Sequence, residues 1–257
     1  MNIAIITGAS SGMGKDFVLQ ADKRYQLDEI WVIARRKERL EALANEASAK
    51  IVPLALDLTD ISSIETLKQK LASEAPNVKL LVNASGFGKF SEFSSSDENA
   101  NASMCDLNLK ALILVTQIVL PYVKEGGKIL QVGSLSSFEP VPHLSVYAAT
   151  KAAVLSFTRA LNHELKKKKI RVLCVCPYWV ETEFFSRANE KEQMRKFDVM
   201  YKSSFVVNVA YKTLDKTKKD YVVPGAYAKL LRACAKILPH KFMMFLMDKI
   251  FKYEKLD

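Results

Sequence analysis

Seven short runs, each nearly continuous in Val, Ile, Leu and Ala, recur along the chain: Ile3–Thr7, Glu29–Ala34, Ile51–Asp57, Lys79–Asn83, Lys128–Gly133, Ile170–Cys176 and Tyr221–Val223. A strand wetted on one face alternates apolar and polar residues. A strand buried on both faces does not, and such strands belong to parallel sheets covered by helices. The intervening segments agree. Lys37–Ala49 and Ile61–Glu74 carry apolar residues at spacings of three and four, the period of an amphipathic helix. Repeated strand–helix alternation predicts a single α/β domain over residues 1–257, with a doubly wound parallel sheet of about seven strands and helices on both faces.

Composition narrows the function classes. Hydrophobic residues make up 49% and charged residues 26%, ordinary for a chain with a sizeable core. The net charge of +10 gathers in local runs such as Lys166–Lys169, which fit solvated helix ends, and no zinc-finger or RNP-like pattern accompanies them. Nucleic acid is therefore not expected as a partner. Four cysteines are too few for a disulfide scaffold, and Cys174 and Cys176, two apart in a strand, read as a buried pair on one face. No metal site is expected, and a cytoplasmic location is. The longest apolar stretch, Leu107–Val123, is short and punctuated by Asn108, Lys110 and Gln117, so a buried interface helix is expected rather than a bilayer span.

The first strand runs into Thr7-Gly-Ala-Ser-Ser-Gly-Met-Gly14. Gly8, Gly12 and Gly14 allow a tight turn and let a pyrophosphate approach a helix N-terminus, with Ser10, Ser11 and Met13 around it. The second strand ends Ala34-Arg35-Arg36. An acidic residue there would hold a free ribose 2′-hydroxyl. Arginines suit a 2′-phosphate instead, which favours NADP(H) over NAD(H). Further on, Tyr147-Ala-Ala-Thr-Lys151 places a phenol and an ammonium one helical turn apart, an arrangement that can tune an acid–base pair.

Together these motifs resemble the classical short-chain dehydrogenases/reductases from Asn2 to about Thr182. Asp57–Leu58, Asn83-Ala84-Ser85-Gly86, Asn108 and Ser134 complete the pattern in the family's order. The resemblance implies a Rossmann-like domain with Tyr147 as general acid or base. Lys151 would lower the phenol's pKa and hold the nicotinamide ribose, and Ser134 would orient the substrate oxygen. Asn108 would hold a relay water. Ser134, not Ser136 or Ser137, stands at the family spacing before the tyrosine. Asp57 and Leu58 would meet the adenine, Asn83–Gly86 would turn beneath the nicotinamide, and Pro177, Val180 and Thr182 would line its pocket. The implied activity is NADP(H)-dependent hydride transfer to or from a carbonyl or secondary alcohol of an apolar substrate, steroid-like, lipid-like or acyl. The alternative is a non-catalytic NADP-binding regulator or scaffold on the same fold.

Tyr178 stands where the family commonly has glycine. It either walls the substrate site with Trp179 or packs within its loop. Residues 183–202 are expected to form a substrate lid, and Ser203–Lys216 a helix. Residues 226–257 carry more apolar residues than one core stripe needs, split by Pro239 into two helices. Three readings of this extension stand open: a cover for the pocket or a subunit interface, a peripheral membrane contact, or completion of the core. A homodimer or homotetramer is expected, as in similar proteins.

Overall fold

The computed structural model describes residues 1–188 and 199–251. Its elements are β1 (Asn2–Thr7), α1 (Gly12–Asp22), β2 (Glu29–Ala34), α2 (Lys37–Glu41), β3 (Lys50–Ala55), α3 (Ile61–Glu74) and β4 (Asn77–Asn83). There follow α4 (Glu98–Cys105), a π-helical stretch (Asp106–Ala111), α5 (Leu112–Val119), β5 (Lys128–Val132), α6 (Ser145–Glu164) and β6 (Arg171–Val175). The chain continues through β7 (Val180–Glu181), α7 (Glu183–Ala188), β8 (Tyr201–Lys202), α8 (Ser203–Lys216), β9 (Tyr221–Val222), α9 (Ala226–Ile237) and α10 (His240–Phe251).

All seven expected strands form one parallel sheet in the order β3-β2-β1-β4-β5-β6-β9. The strands send alternate side chains to two cores, which is why their sequences run apolar without a break. Ile6, Val32, Leu130 and Leu173 meet Phe17 of α1 and Tyr211 of α8 on one face. Ile5, Trp31, Ile129 and Val172 meet Leu67 of α3, Val115 of α5 and Leu161 of α6 on the other. The winding direction reverses between β1 and β4, so the crevice for ligands opens at their carboxyl ends.

Three elements depart from the expectations. The helix from Lys37 gives way after Glu41 to a 3₁₀ stretch over Ala42–Asn45, and the Asp22 carboxylate then takes the amides of Ser48 and Ala49, at 2.9 and 2.7 Å, in the turn into β3. A small parallel pair, β7–β8, lies outside the main sheet. The segment Glu98–Tyr122 is one helical run, long and apolar enough by length and composition to cross a membrane. Here it is a core helix, with Ala111, Val115 and Val119 buried against the sheet. Of the expected lid, α7 and β8 are described, and residues 189–198 lie outside the described residues.

Candidate active site

The turn after β1 folds tightly on itself. Gly8 has φ +69°, and a Cβ there would stand 2.8 Å from the Ala84 carbonyl. A Cβ on Gly14 would lie 2.0 Å from the Gly8 oxygen, so the first turn of α1 can sit on the loop only without a side chain. Ala84 and Ser85 donate their amides to the Thr7 hydroxyl at 3.1 and 3.2 Å, locking the turn after β4 against it. Between these turns, the end of β2 and the Asp57–Leu58 corner lies a cleft of about 780 Å³. Gly8, Ser10, Ser11, Gly12, Met13 and Gly14 line one side, with Arg35, Arg36, Ala84, Ser85, Gly86 and Thr182 around the remainder.

The two arginines divide their tasks. Arg35 is largely exposed and faces Asp57 at 3.7 Å. Arg36 turns inward, donating to Ser10 Oγ at 3.0 Å, Ser11 Oγ at 2.8 Å and Glu183 Oε2 at 2.9 Å. Glu183, at the start of α7, also receives Arg39 and Arg187. The Arg39 and Arg36 hydrogen bonds hold its carboxyl down at about 2. A carboxylate thus stands beside the arginines expected to meet a phosphate, a feature the sequence reading did not contain.

Two expected cofactor contacts take other partners in this structure. The Asn83 side chain is buried and donates to Thr116 Oγ1 at 3.0 Å, so it ties β4 to α5 and does not line the cleft. Asp57 lines the cleft but accepts from the Thr59 amide and hydroxyl, at 3.0 and 2.7 Å. The helix cap falls to Asp60, which accepts from the Ser62 amide at 2.9 Å.

Ser134, Tyr147, Lys151 and Asn108 converge at the carboxyl ends of β4 and β5. Tyr147 and Lys151 lie on the buried face of α6. Lys151 Nζ donates to the Val132 carbonyl at 2.8 Å and stands 5.6 Å from the Tyr147 ring centre. The expected lowering of the phenol pKa is not found: burial pushes Tyr147 up to about 12, against a hydrogen bond with Ser134 that lowers it. Burial also brings Lys151 down to about 8. Ser134 caps a short 3₁₀ turn, where its Oγ accepts from the Ser136 amide at 3.2 Å and Ser137 Oγ accepts from the Ser134 amide at 3.2 Å. Ser136 and Ser137 therefore shape the loop that presents Ser134.

Asn108 sits inside the π-helical stretch, whose widened turn aims its side chain at the backbone of Phe87. Its Oδ1 accepts from Phe87 N at 3.0 Å, while Nδ2 donates to Phe87 O at 2.9 Å and Thr150 Oγ1 at 3.2 Å. Gly86 lies directly above: a Cβ there would be 2.9 Å from Asn108 Oδ1 and 3.3 Å from Lys151 Nζ. Only the smallest residue leaves the approach to Lys151 open.

Comparison with known proteins agrees with this geometry. The family model described as short chain dehydrogenase matches residues 2–193. The chain belongs to the short-chain dehydrogenase family. An NADP-dependent 3-hydroxy acid dehydrogenase of Schizosaccharomyces pombe is 35% identical over 210 residues, covering 78% of this chain and 79% of that protein. The 3-oxoacyl-[acyl-carrier-protein] reductase FabG of Thermotoga maritima is 32% identical over 196 residues, 74% and 78% of the two chains. A short-chain dehydrogenase from Sphingobium yanoikuyae, solved in complex with NADPH, superposes with TM-score 0.77 at 25% identity, covering 100% of this chain and 99% of that one.

In this short-chain dehydrogenase a second, narrower pocket of about 110 Å³ opens in front of Ser134, Tyr147 and Lys151. Pro177, Tyr178, Trp179 and Val180 form one wall, and the Tyr178 ring also packs edge-on against Trp179 and Tyr227 at 6.1 and 5.5 Å. Among the described residues only Ala75, His143 and Lys169 take positive φ without being glycine, so Tyr178 fits its place without that strain. Phe184 of α7 lies tilted beside the Tyr147 ring at 5.5 Å, and Met247 of α10 also lines the pocket. On α10, Met243 and Met247 are buried. Tyr227, Leu230, Ile237, Phe242 and Phe245 remain exposed on the same two helices. Glu139 also lines the pocket, and burial pushes its carboxyl up to about 7 although Arg232 opposes the shift.

Proposed function

We propose that the chain is an NADP(H)-dependent reductase of apolar carbonyl compounds, with Tyr147 as the proton donor. The observation that carries this reading is the shared opening of the two cavities: Met13, Ala84, Gly86, Thr182 and Phe184 border both the glycine-turn cleft and the pocket of Tyr147. The cleft fits a dinucleotide phosphate, because its turn admits no side chain at Gly8 or Gly14 and Arg36 joins Ser10 and Ser11 at its rim. When bound, the nicotinamide supplies the hydride.

The chain's own residues supply the rest. Ser134 and Tyr147 offer two hydroxyls at the pocket end for a substrate oxygen. Tyr147, buried and holding its proton through neutral pH, is suited to donate it to an alkoxide as it forms. That protonation favours reduction over oxidation. Lys151 is held by Val132 O beneath Gly86, where its charge supports the phenol after proton loss. Asn108 positions Phe87 and Thr150, and the relay water expected at its side is part of this proposal. The apolar walls exclude water from the reacting carbon.

Purified protein supplied with NADPH and a panel of ketones is expected to consume NADPH and form alcohol in equal amounts. NADPH binding with no turnover across the panel would favour a non-catalytic NADP-binding role. The pH profile follows from the charges. Lys151, brought down to about 8, is charged below that pH and loses its proton above it. The kcat/KM for reduction is therefore expected to be level near neutrality and to fall about tenfold per pH unit above the Lys151 pKa. A profile that stays level through strongly alkaline pH would contradict this assignment.

The same proposal places the protein in the cytoplasm, in keeping with its four free thiols. It pairs copies through α5 and α6 into a homodimer or homotetramer, which light scattering tests. It also sets the exposed apolar residues of α9 and α10, flanked by Lys229, Lys236 and Lys241, on an anionic membrane surface. Co-sedimentation with anionic but not neutral vesicles tests that contact.

A further inference from the structure

Glu139 lies on the loop between β5 and α6, and it lines the pocket where an apolar residue would cost less to bury. Val141, Leu144, Tyr178, Trp179 and Met247 line the same pocket. The residue is 7% exposed, and its Oε2 is buried without a hydrogen-bond partner. A carboxyl removed from water and left unpaired is costly, whereas an aliphatic side chain of similar size would carry no such cost. The neighbouring Arg232 charge offsets this cost only in part, since burial still wins. Arg232 of α9 lies over the Phe138 ring, 4.1 Å from its centre, and its own Nε is buried and unpartnered. Among the described residues Tyr178 also feels the Glu139 charge, and its ring packs against that of Tyr227 at 5.5 Å.

We propose that Glu139 is a specificity-determining residue of the pocket, accepting a hydrogen bond from a hydroxyl group that an otherwise apolar carbonyl substrate carries away from its reacting carbon. The inference rests on the reading of the pocket as a carbonyl-reductase site. A neutral hydroxyl fits better than an ammonium group, because the Arg232 guanidinium already offsets the carboxylate and would repel a second cation. A substrate carboxylate is disfavoured by Glu139 itself.

The test is titration calorimetry of the protein saturated with NADP⁺, using cyclohexanone and decalone, each with and without a hydroxyl remote from the carbonyl, and 4-oxocyclohexanecarboxylate. At least one hydroxylated ring is expected to bind the wild type about tenfold to a hundredfold more tightly than its parent ketone. The carboxylate is expected to bind more weakly than either. In Glu139→Leu the hydroxyl preference should disappear while the parent ketones bind as well as before or better. Glu139→Gln, which keeps an accepting oxygen, should retain part of the preference.

A wild type that binds parent and hydroxylated rings equally, or binds none of them, overturns the proposal. So does a preference that survives in Glu139→Leu. A Leu variant that weakens parent and hydroxylated ketones alike also overturns it, since that marks Glu139 as a structural partner of Arg232. NADPH turnover of the parent ketones, measured in parallel, tests the reductase reading separately. Preference without turnover would sink that reading and keep the subsite, and turnover without preference would do the reverse.

Discussion

Tyr147→Phe is expected to lower kcat for ketone reduction by about a hundredfold to ten-thousandfold, roughly 3–5 kcal/mol of transition-state stabilisation, with NADPH affinity changed by no more than a few-fold. The substitution removes one hydroxyl and nothing else. The ring keeps its contact with Phe184 at 5.5 Å and its place beneath Gly88, where a Cβ would come within 3.2 Å of it. Ser134, which loses the phenol as a partner, retains Ser136 Oγ at 3.2 Å. The fold should therefore survive almost unchanged, and the thermal midpoint should confirm it. The proton is what disappears. A variant that kept more than about a tenth of wild-type kcat would mean that the proton comes from elsewhere, and the assignment of Tyr147 would fall.

Gly14→Ala should be the most damaging single methyl group in the cofactor cleft. Its Cβ would enter within 2.0 Å of the Gly8 oxygen, 2.5 Å of the Gly8 carbonyl carbon and 3.0 Å of the Ala9 nitrogen. These are backbone atoms, so no rotamer change relieves the clash, and α1 must lift off its loop. Overpacking of this kind costs about 3 kcal/mol or more, which in a chain of this size lowers Tm by roughly 6–12 °C. NADPH binding should be lost with it, because the helix N-terminus that faces the phosphates is displaced. Gly126→Ala separates two causes. Gly126 has φ +80° and nothing within 4 Å of a Cβ, so only backbone strain applies. That variant should lose about 1–2 kcal/mol and bind NADPH normally. Equal behaviour of the two variants would remove the steric argument.

The sheet was legible because burial on both faces writes itself into each strand as an unbroken apolar run. The helix Ile61–Glu74 was legible from its apolar period, and the break between α9 and α10 from Pro239; Ser203–Lys216 is a helix as expected, but the residue at its N-cap is Lys202. What the sequence concealed depends on three-dimensional neighbours. Nothing local distinguishes Arg35 from Arg36, yet one faces solvent and Asp57 while the other enters the cleft toward Ser10 and Ser11. The π-helical turn at Asn108 answers to Phe87 and Thr150, which lie far along the chain. The expected drop in the Tyr147 pKa assumed that Lys151 acts alone, whereas burial of both groups raises one and lowers the other. Glu139 looks in the sequence like any charged loop residue, and only the pocket it shares with Tyr178, Trp179 and Met247 shows a carboxyl among apolar walls.

The central claim, that this fold serves a phosphorylated nicotinamide dinucleotide through the arginines after β2, is tested most directly by titrating wild type and the Arg35→Ala/Arg36→Ala double variant with NADPH and NADH. The wild type is expected to bind NADPH at least about tenfold more tightly than NADH, as a charge-assisted phosphate contact should give. The double variant is expected to bind the two alike, with NADH affinity close to that of the wild type. Equal binding of both nucleotides by the wild type, or a preference that persists without the two arginines, would contradict it.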